Sequence, residues 1–169
     1  SDVYKRQQQR RDSATEEKRL LAVLKSDAVA AQKAISCKEL AIYGSSNAVP
    51  ELEKLLPNPQ LSSWARIALE VIPGDQSDAA LRTAAESMQG QLLVGVINSI
   101  GVRGDAKAVP ILITRLKDND FEVASAAAVA LGRIADDEST GALQAALRTV
   151  PGKLRSSVAE ACVLCAEAR

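Results

Sequence analysis

Residues 120–147 read DFEVASAAAVALGRIADDESTGALQAAL, and this stretch decides the fold. An apolar, alanine-rich segment opens behind Asp120 and runs to Gly132. A short acidic loop follows, Asp136-Asp137-Glu138, and then a second apolar segment, ALQAAL at 142–147. Apolar residues return every three or four positions rather than every two, which is the period of one helix face. The stretch therefore predicts a helix, a tight loop and a second helix. Residues 97–118, INSIGVRGDAKAVPILITRLKD, present the same order one unit earlier.

Outward from this pair, the pattern fills most of the chain. Leu21, Leu52, Leu81, Leu112 and Leu143 follow at spacings of 31, 29, 31 and 31. Each lies in a short apolar segment: LLAVL at 20–24, VPELEKLL at 49–56, AALRTAA at 79–85, VPILITRL at 109–116 and ALQAAL at 142–147. Val49, Leu52 and Leu56, like Val109, Leu112 and Leu116, share one helical stripe. These are the B helices. An A helix is expected between them, in AISCKELAIYG at 34–44, WARIALEVIPG at 64–74, LLVGVINSIG at 92–101 and VASAAAVALG at 123–132, with a fifth in SSVAEACVLCAEA at 156–168. A period near 31 residues is a repeat signature, and one helix pair cannot bury its apolar face alone. Stacked pairs share a continuous core.

Boundary signals agree. Gly44, Gly74, Gly101 and Gly132 fall behind the A stripes, where glycine is the usual left-handed helix stop. Asn47 and Asp105 are suited to capping the B helices, and Pro50 and Pro110 fall in the first turn, where the missing N–H costs little. Ser13 and Glu16 are spaced as a capping box for the first helix.

Composition narrows the function. Of 169 residues, 47% are apolar and 2% aromatic, which favours helices packed through small side chains over sheets. Lys plus Arg and Asp plus Glu both total 21, so the basic footprint of a nucleic-acid binder is missing. No apolar run approaches the length of a membrane span, and residues 1–11 are polar and basic, unlike a signal peptide. With no histidine, the commonest general base and zinc ligand is lacking. Three cysteines make no disulfide framework, and the compartment stays open.

Residues 120–147 and 97–118 resemble HEAT-like repeats, of the short bacterial kind also called phycobilisome-lyase-type. The family pattern runs Val, small residues, Ala-Leu-Gly, a short acidic loop, Ala-Val-Pro and a leucine stripe. The likeness covers roughly residues 20–169; the Trp64 repeat is degenerate, and Ala124 stands where many family repeats carry arginine. It implies a right-handed α-solenoid of about four to five helix pairs, an armadillo-type superhelix, with the B helices lining its concave side. Residues 1–7, SDVYKRQ, resemble translated sequencing-adapter read-through, so 1–12 are expected to be a disordered tail or artefact and 13–169 the repeat domain. The chain opens on a B helix and stops inside an A helix, so truncation at both ends is expected.

Candidate sites are few. Cys162 and Cys165 form a C-x-x-C, but late in an A helix and on its apolar stripe, so they read as buried small apolar residues. The acidic groups Asp118/Asp120 and Asp136/Asp137/Glu138 lack calcium-loop spacing and sit where helices begin, where they complement the helix dipole. Gly101 to Asp105 has no strand before it and reads as an inter-helix turn. Trp64 reads as packing between repeats rather than as a binding hot spot. The exposed B-helix positions Glu53, Lys54, Arg82, Glu86, Thr114, Lys117, Gln144 and Arg148 form the expected partner-binding row. The reading is a non-catalytic scaffold for a protein partner, without cofactor, metal or nucleic acid. The alternatives are an accessory or regulatory repeat domain of a larger bacterial enzyme, or a bilin-lyase-like protein. Deoxyhypusine hydroxylases, which share the repeat, hold iron through His-Glu pairs, and the absence of histidine excludes that activity for this chain.

Overall fold

The computed structural model describes residues 2–168, with side chains from residue 12. Among the described residues every regular element is helical. The order is α1 (Asp2–Lys25), α2 (Ala30–Tyr43), α3 (Val49–Glu53), α4 (Ser62–Val71), α5 (Asp75–Ser87), α6 (Gly90–Arg103), α7 (Val109–Arg115), α8 (Phe121–Ile134), α9 (Asp137–Ala146) and α10 (Gly152–Glu167). The odd-numbered helices are the B helices and the even-numbered ones the A helices. The fold is all-α, of the α-solenoid class. Short 3-10 turns, Ser46–Ala48 and Ala106–Ala108, lead into α3 and α7.

The chain divides into two compact units, Ser1–Ala80 and Leu81–Arg169, with the boundary inside α5. In the first, α2 packs on α1 and α4, and α3 packs on α4. Leu20, Leu40, Leu52, Leu56, Leu69 and Ile72 are essentially fully buried. In the second, α8 lies between α6 and α10, with α7 and α9 against it. Leu93, Ile97, Ile100, Leu112 and Leu131 form its centre. Each such side chain contributes about 1.5–3 kcal/mol by leaving water. The expected stripes Val49–Leu52–Leu56 and Val109–Leu112–Leu116 are buried along their whole length.

The start signals of α3 and α7 hold with one shift. Pro50 and Pro110 sit in the first turns of α3 and α7. Asp105 caps the turn before α7, its carboxylate accepting the Lys107 N–H at 3.1 Å. In the first unit the cap is Ser45, which accepts the Asn47 N–H at 3.2 Å, and not Asn47 itself. The inserted 3-10 turn moves the cap two residues upstream. Ser13 lies inside α1, so it does not open that helix.

The stop signals are corrected. α6 continues past Gly101 to Arg103 and ends at Gly104, whose φ of 66° is the left-handed cap. α8 continues past Gly132 to Ile134 and ends at Ala135, which takes φ 55° without being glycine. Gly44 does follow α2, but in extended geometry. Gly74, at φ 104°, stands just before α5 rather than at the end of α4.

Gly101 and Gly132 have another physical role. A Cβ at Gly101 would lie 2.9 Å from Ala130 Cα, and one at Gly132 would lie 2.9 Å from both Cα and O of Ala161. These glycines let α6 approach α8 and α8 approach α10 nearly backbone to backbone. A side chain of any size would hold the helices apart.

Candidate functional site

Polar contacts tie the B helices α5 and α7 together. Arg82 on α5 pairs with Asp105 ahead of α7, and the Asp105 side chain is only 6% exposed. Arg115 on α7 donates through Nη2 to the carbonyls of Ala85, at 2.8 Å, and Glu86, at 3.2 Å, and its Nη1 lies 3.3 Å from Asp118. The C-terminal turn of α5 and helix α7 are thereby held together. In the first unit, buried Glu17 does similar work: its carboxylate accepts the Ser45 N–H at 2.5 Å and the Ser45 hydroxyl at 2.8 Å.

This framework distributes the expected row unevenly. Glu86 and Thr114 come together at a cleft of about 450 Å³ between α5 and α7, lined also by Pro110, Ile111 and Arg115. Lys117 borders a second cleft, of about 290 Å³, between α7 and α9, where Ile113, Leu116, Ala142 and Val150 supply an apolar floor. Gln144 and Arg148 are exposed on and just beyond α9. Arg82 is half-buried and engaged with Asp105. In the first unit Lys54 is exposed and paired with Glu51 at 2.9 Å, and Glu53 is half-buried.

The other notable surface lies on the A helices of the first unit. Ile35 and Ile42 on α2 point to solvent, Ile42 being 72% exposed. Trp64, Ile67 and Val71 do the same on the neighbouring α4, with Trp64 38% exposed. Between the two helices runs a cleft of about 570 Å³, walled by Trp64, Ile35 and three alanines, with Lys38 and Gln60 at its edges. Trp64 thus walls a cleft between the A helices of successive repeats, with part of its ring open to solvent. This face escaped the sequence reading because α2 carries two apolar stripes, and period alone cannot tell which of them the core takes. Cys37 and Leu40 mark the buried one.

Neither Cys37 nor Cys162 is an activated thiolate. Cys165 is buried beneath α8, its Sγ 3.9 Å from the Gly132 carbonyl, while Cys162 is half-exposed. Burial, and then the neighbouring Cys165, raise the Cys162 pKa. Burial pushes the Cys37 thiol up to about 11. A nucleophilic cysteine needs the opposite shift. Accordingly, alkylation of the folded chain at pH 8 is expected to label Cys162 first, with Cys37 and Cys165 labelled only in denaturant. Mass spectrometry of the adducts checks this; rapid labelling of Cys37 in the native state would show that the burial is wrong. Asp120 and Asp136 cap α8 and α9, accepting from Glu122 N–H at 2.9 Å and Ser139 N–H at 2.7 Å. Among the described residues no three His, Cys, Asp or Glu side chains are grouped to hold a metal ion.

Residues 79–162 match the family model for HEAT repeats. Among solved structures, the chain is similar to human deoxyhypusine hydroxylase in complex with glycerol, with a TM-score of 0.56 and 16% identity over 91% of this chain and 75% of that one. It is also similar to an engineered protein, with a TM-score of 0.51 and 22% identity over 90% of this chain and 79% of that one. At these identities the likeness is one of fold. No curated protein matches the chain.

Proposed function

The chain is a HEAT-like repeat protein, and on that premise we propose that it works as a non-catalytic scaffold that binds a protein partner through the B-helix face. HEAT repeats are generally protein-interaction scaffolds, and stacked repeats offer long surfaces built from equivalent positions. The observation that carries the reading is the pair of clefts flanking α7, with Glu86 and Thr114 at one and Lys117 at the other. Apolar floors with polar or charged side chains at their edges match the core-and-rim pattern of protein interfaces. Each cleft is large enough for one or two partner side chains. The hydroxylase among the structural neighbours is an enzyme, and at 16% identity the likeness to it is one of fold alone.

Site-specific photocrosslinking tests the proposal. A photoreactive residue at Thr114, Lys117 or Gln144 is expected to capture a common protein. The same residue at the exposed A-helix position Val102 or Glu160 is expected not to. Charge reversal at Lys117 and Arg148 together should lower the B-face yield at least fivefold. Equal capture at the B-face positions and at Val102 or Glu160, or capture at those two A-helix positions alone, would count decisively against it.

A further inference from the structure

We propose that the groove between α2 and α4 is a second docking site, which takes an amphipathic helix of another protein with a carboxylate seated on Lys38. Two apolar stripes run side by side on these packed helices, Ile35–Ile42 on α2 and Trp64–Ile67–Val71 on α4, and all five side chains are exposed. Monomeric proteins seldom leave large apolar side chains clustered on the surface, and such clusters mark interaction sites. Each stripe runs over seven residue steps, about 10 Å of helix. That length matches the apolar stripe of a partner helix of two to three turns, whose anchors at i, i+3 or i+4 and i+7 fill such grooves. The 570 Å³ cleft accepts one large anchor against the Trp64 ring, and an exposed tryptophan in a groove is a frequent energetic centre of binding.

Charge selects the occupant. Lys38 lies at the edge of the cleft, one turn along α2 from Ile35, and has no ion pair or hydrogen-bond partner among the described residues. Glu39, the next residue on α2, is already engaged with Arg19 at 2.9 Å, and no carboxylate is among the residues that line the cleft. The groove therefore presents an uncompensated cation over an apolar floor. An acidic residue flanking the partner's stripe would neutralise it, and a basic one would be repelled. This surface lies on the A helices, so it is independent of the B-face reading.

Trp64 is the only tryptophan of the chain, which gives the site its own reporter. A displayed library of helical peptides, with apolar positions fixed at i, i+4 and i+7 and the flanks randomised, is selected against the full 169-residue chain. Selected peptides are then titrated while Trp64 emission is read. Enrichment of Glu or Asp at one flank is expected, with a saturable blue shift of Trp64. Lys38→Glu should weaken binding at least tenfold, and Ile67→Asp should do the same with the circular dichroism spectrum unchanged. Both positions are exposed, so neither substitution empties the core. Peptides without an acidic preference, or peptides insensitive to both substitutions, overturn the proposal. So does a Trp64 blue shift that rises with protein concentration alone, which would assign the face to a second copy. An equal shift on phosphatidylcholine–phosphatidylserine vesicles would assign it to a lipid surface.

Discussion

Alanine at position 132 is expected to destabilise the chain by about 2–3 kcal/mol, although helix propensity alone argues for a gain of about 1 kcal/mol. The sign turns on what the new methyl group meets. At Gly132 it would stand 2.9 Å from the Ala161 Cα and carbonyl oxygen and 3.0 Å from the Ala161 Cβ. Two of these are backbone atoms, so relief requires α8 and α10 to separate. Separation thins the packing around Leu131, Val158 and Cys165, which are all buried. Gly101→Ala should act in the same direction, against Ala130. Gly141 is the control: it lies within α9, exposed, with nothing within 4 Å of its missing Cβ. Gly141→Ala should stabilise by up to about 1 kcal/mol. Denaturant unfolding followed by far-ultraviolet circular dichroism measures all three. If Gly132→Ala proved as stable as the parent, the close approach of α8 and α10 would be refuted.

The second large effect is expected at Asp105. Asp105→Ala should cost roughly 2–4 kcal/mol, because one carboxylate does two jobs. It accepts the Lys107 N–H at the start of the turn before α7, and it pairs with Arg82 on α5. Removing it leaves a helix start without a cap and a guanidinium, with only 20% of its side chain exposed, without its carboxylate. Asp105→Asn keeps a side-chain oxygen for the cap and loses only the charge, so it should recover about half of the loss. The double substitution Arg82→Ala/Asp105→Asn should cost less than the sum of the two single changes, since the two side chains are in direct contact. Strict additivity in that cycle would mean that the pair contributes no coupling.

Much of this architecture is legible in the sequence because an apolar stripe of period 3.6 and a repeat length near 31 residues reinforce each other. Spacing alone places Leu21, Leu52, Leu81, Leu112 and Leu143 in the core; the last four are fully buried, while Leu21 is half-buried and Leu20 and Leu24 are the buried leucines of α1. The helix ends were less legible. Glycine serves both as a left-handed stop and as a gap for close approach, and the sequence shows only that a side chain is missing. Gly104 does the first job, Gly101 and Gly132 the second. Asn47 has the residue type of a cap, and the 3-10 turn that moves the cap to Ser45 leaves no mark on hydrophobic period. The candidate site is harder still. Ile35 and Ile42 have the residue types of a core, and their exposure depends on which of two stripes α2 turns toward α1 and α4. Arg82 has the residue type of a binding surface, and only three-dimensional proximity to Asp105 reveals that it is engaged.

The Gly132–Ala161 contact is also a matter of manufacture. Ala130 and Gly132 lie two residues apart on α8; the first receives Gly101 of the helix before, and the second admits Ala161 of the helix after. Gly101 to Gly132 and Ala130 to Ala161 are both intervals of 31 residues. One tile of the array thus carries a plug and a matching socket at its two edges. A tandem copy of that 31-residue tile would bring its own fit to both neighbours. Such an array can lengthen by duplication of its coding segment, without inventing any new surface at the joins.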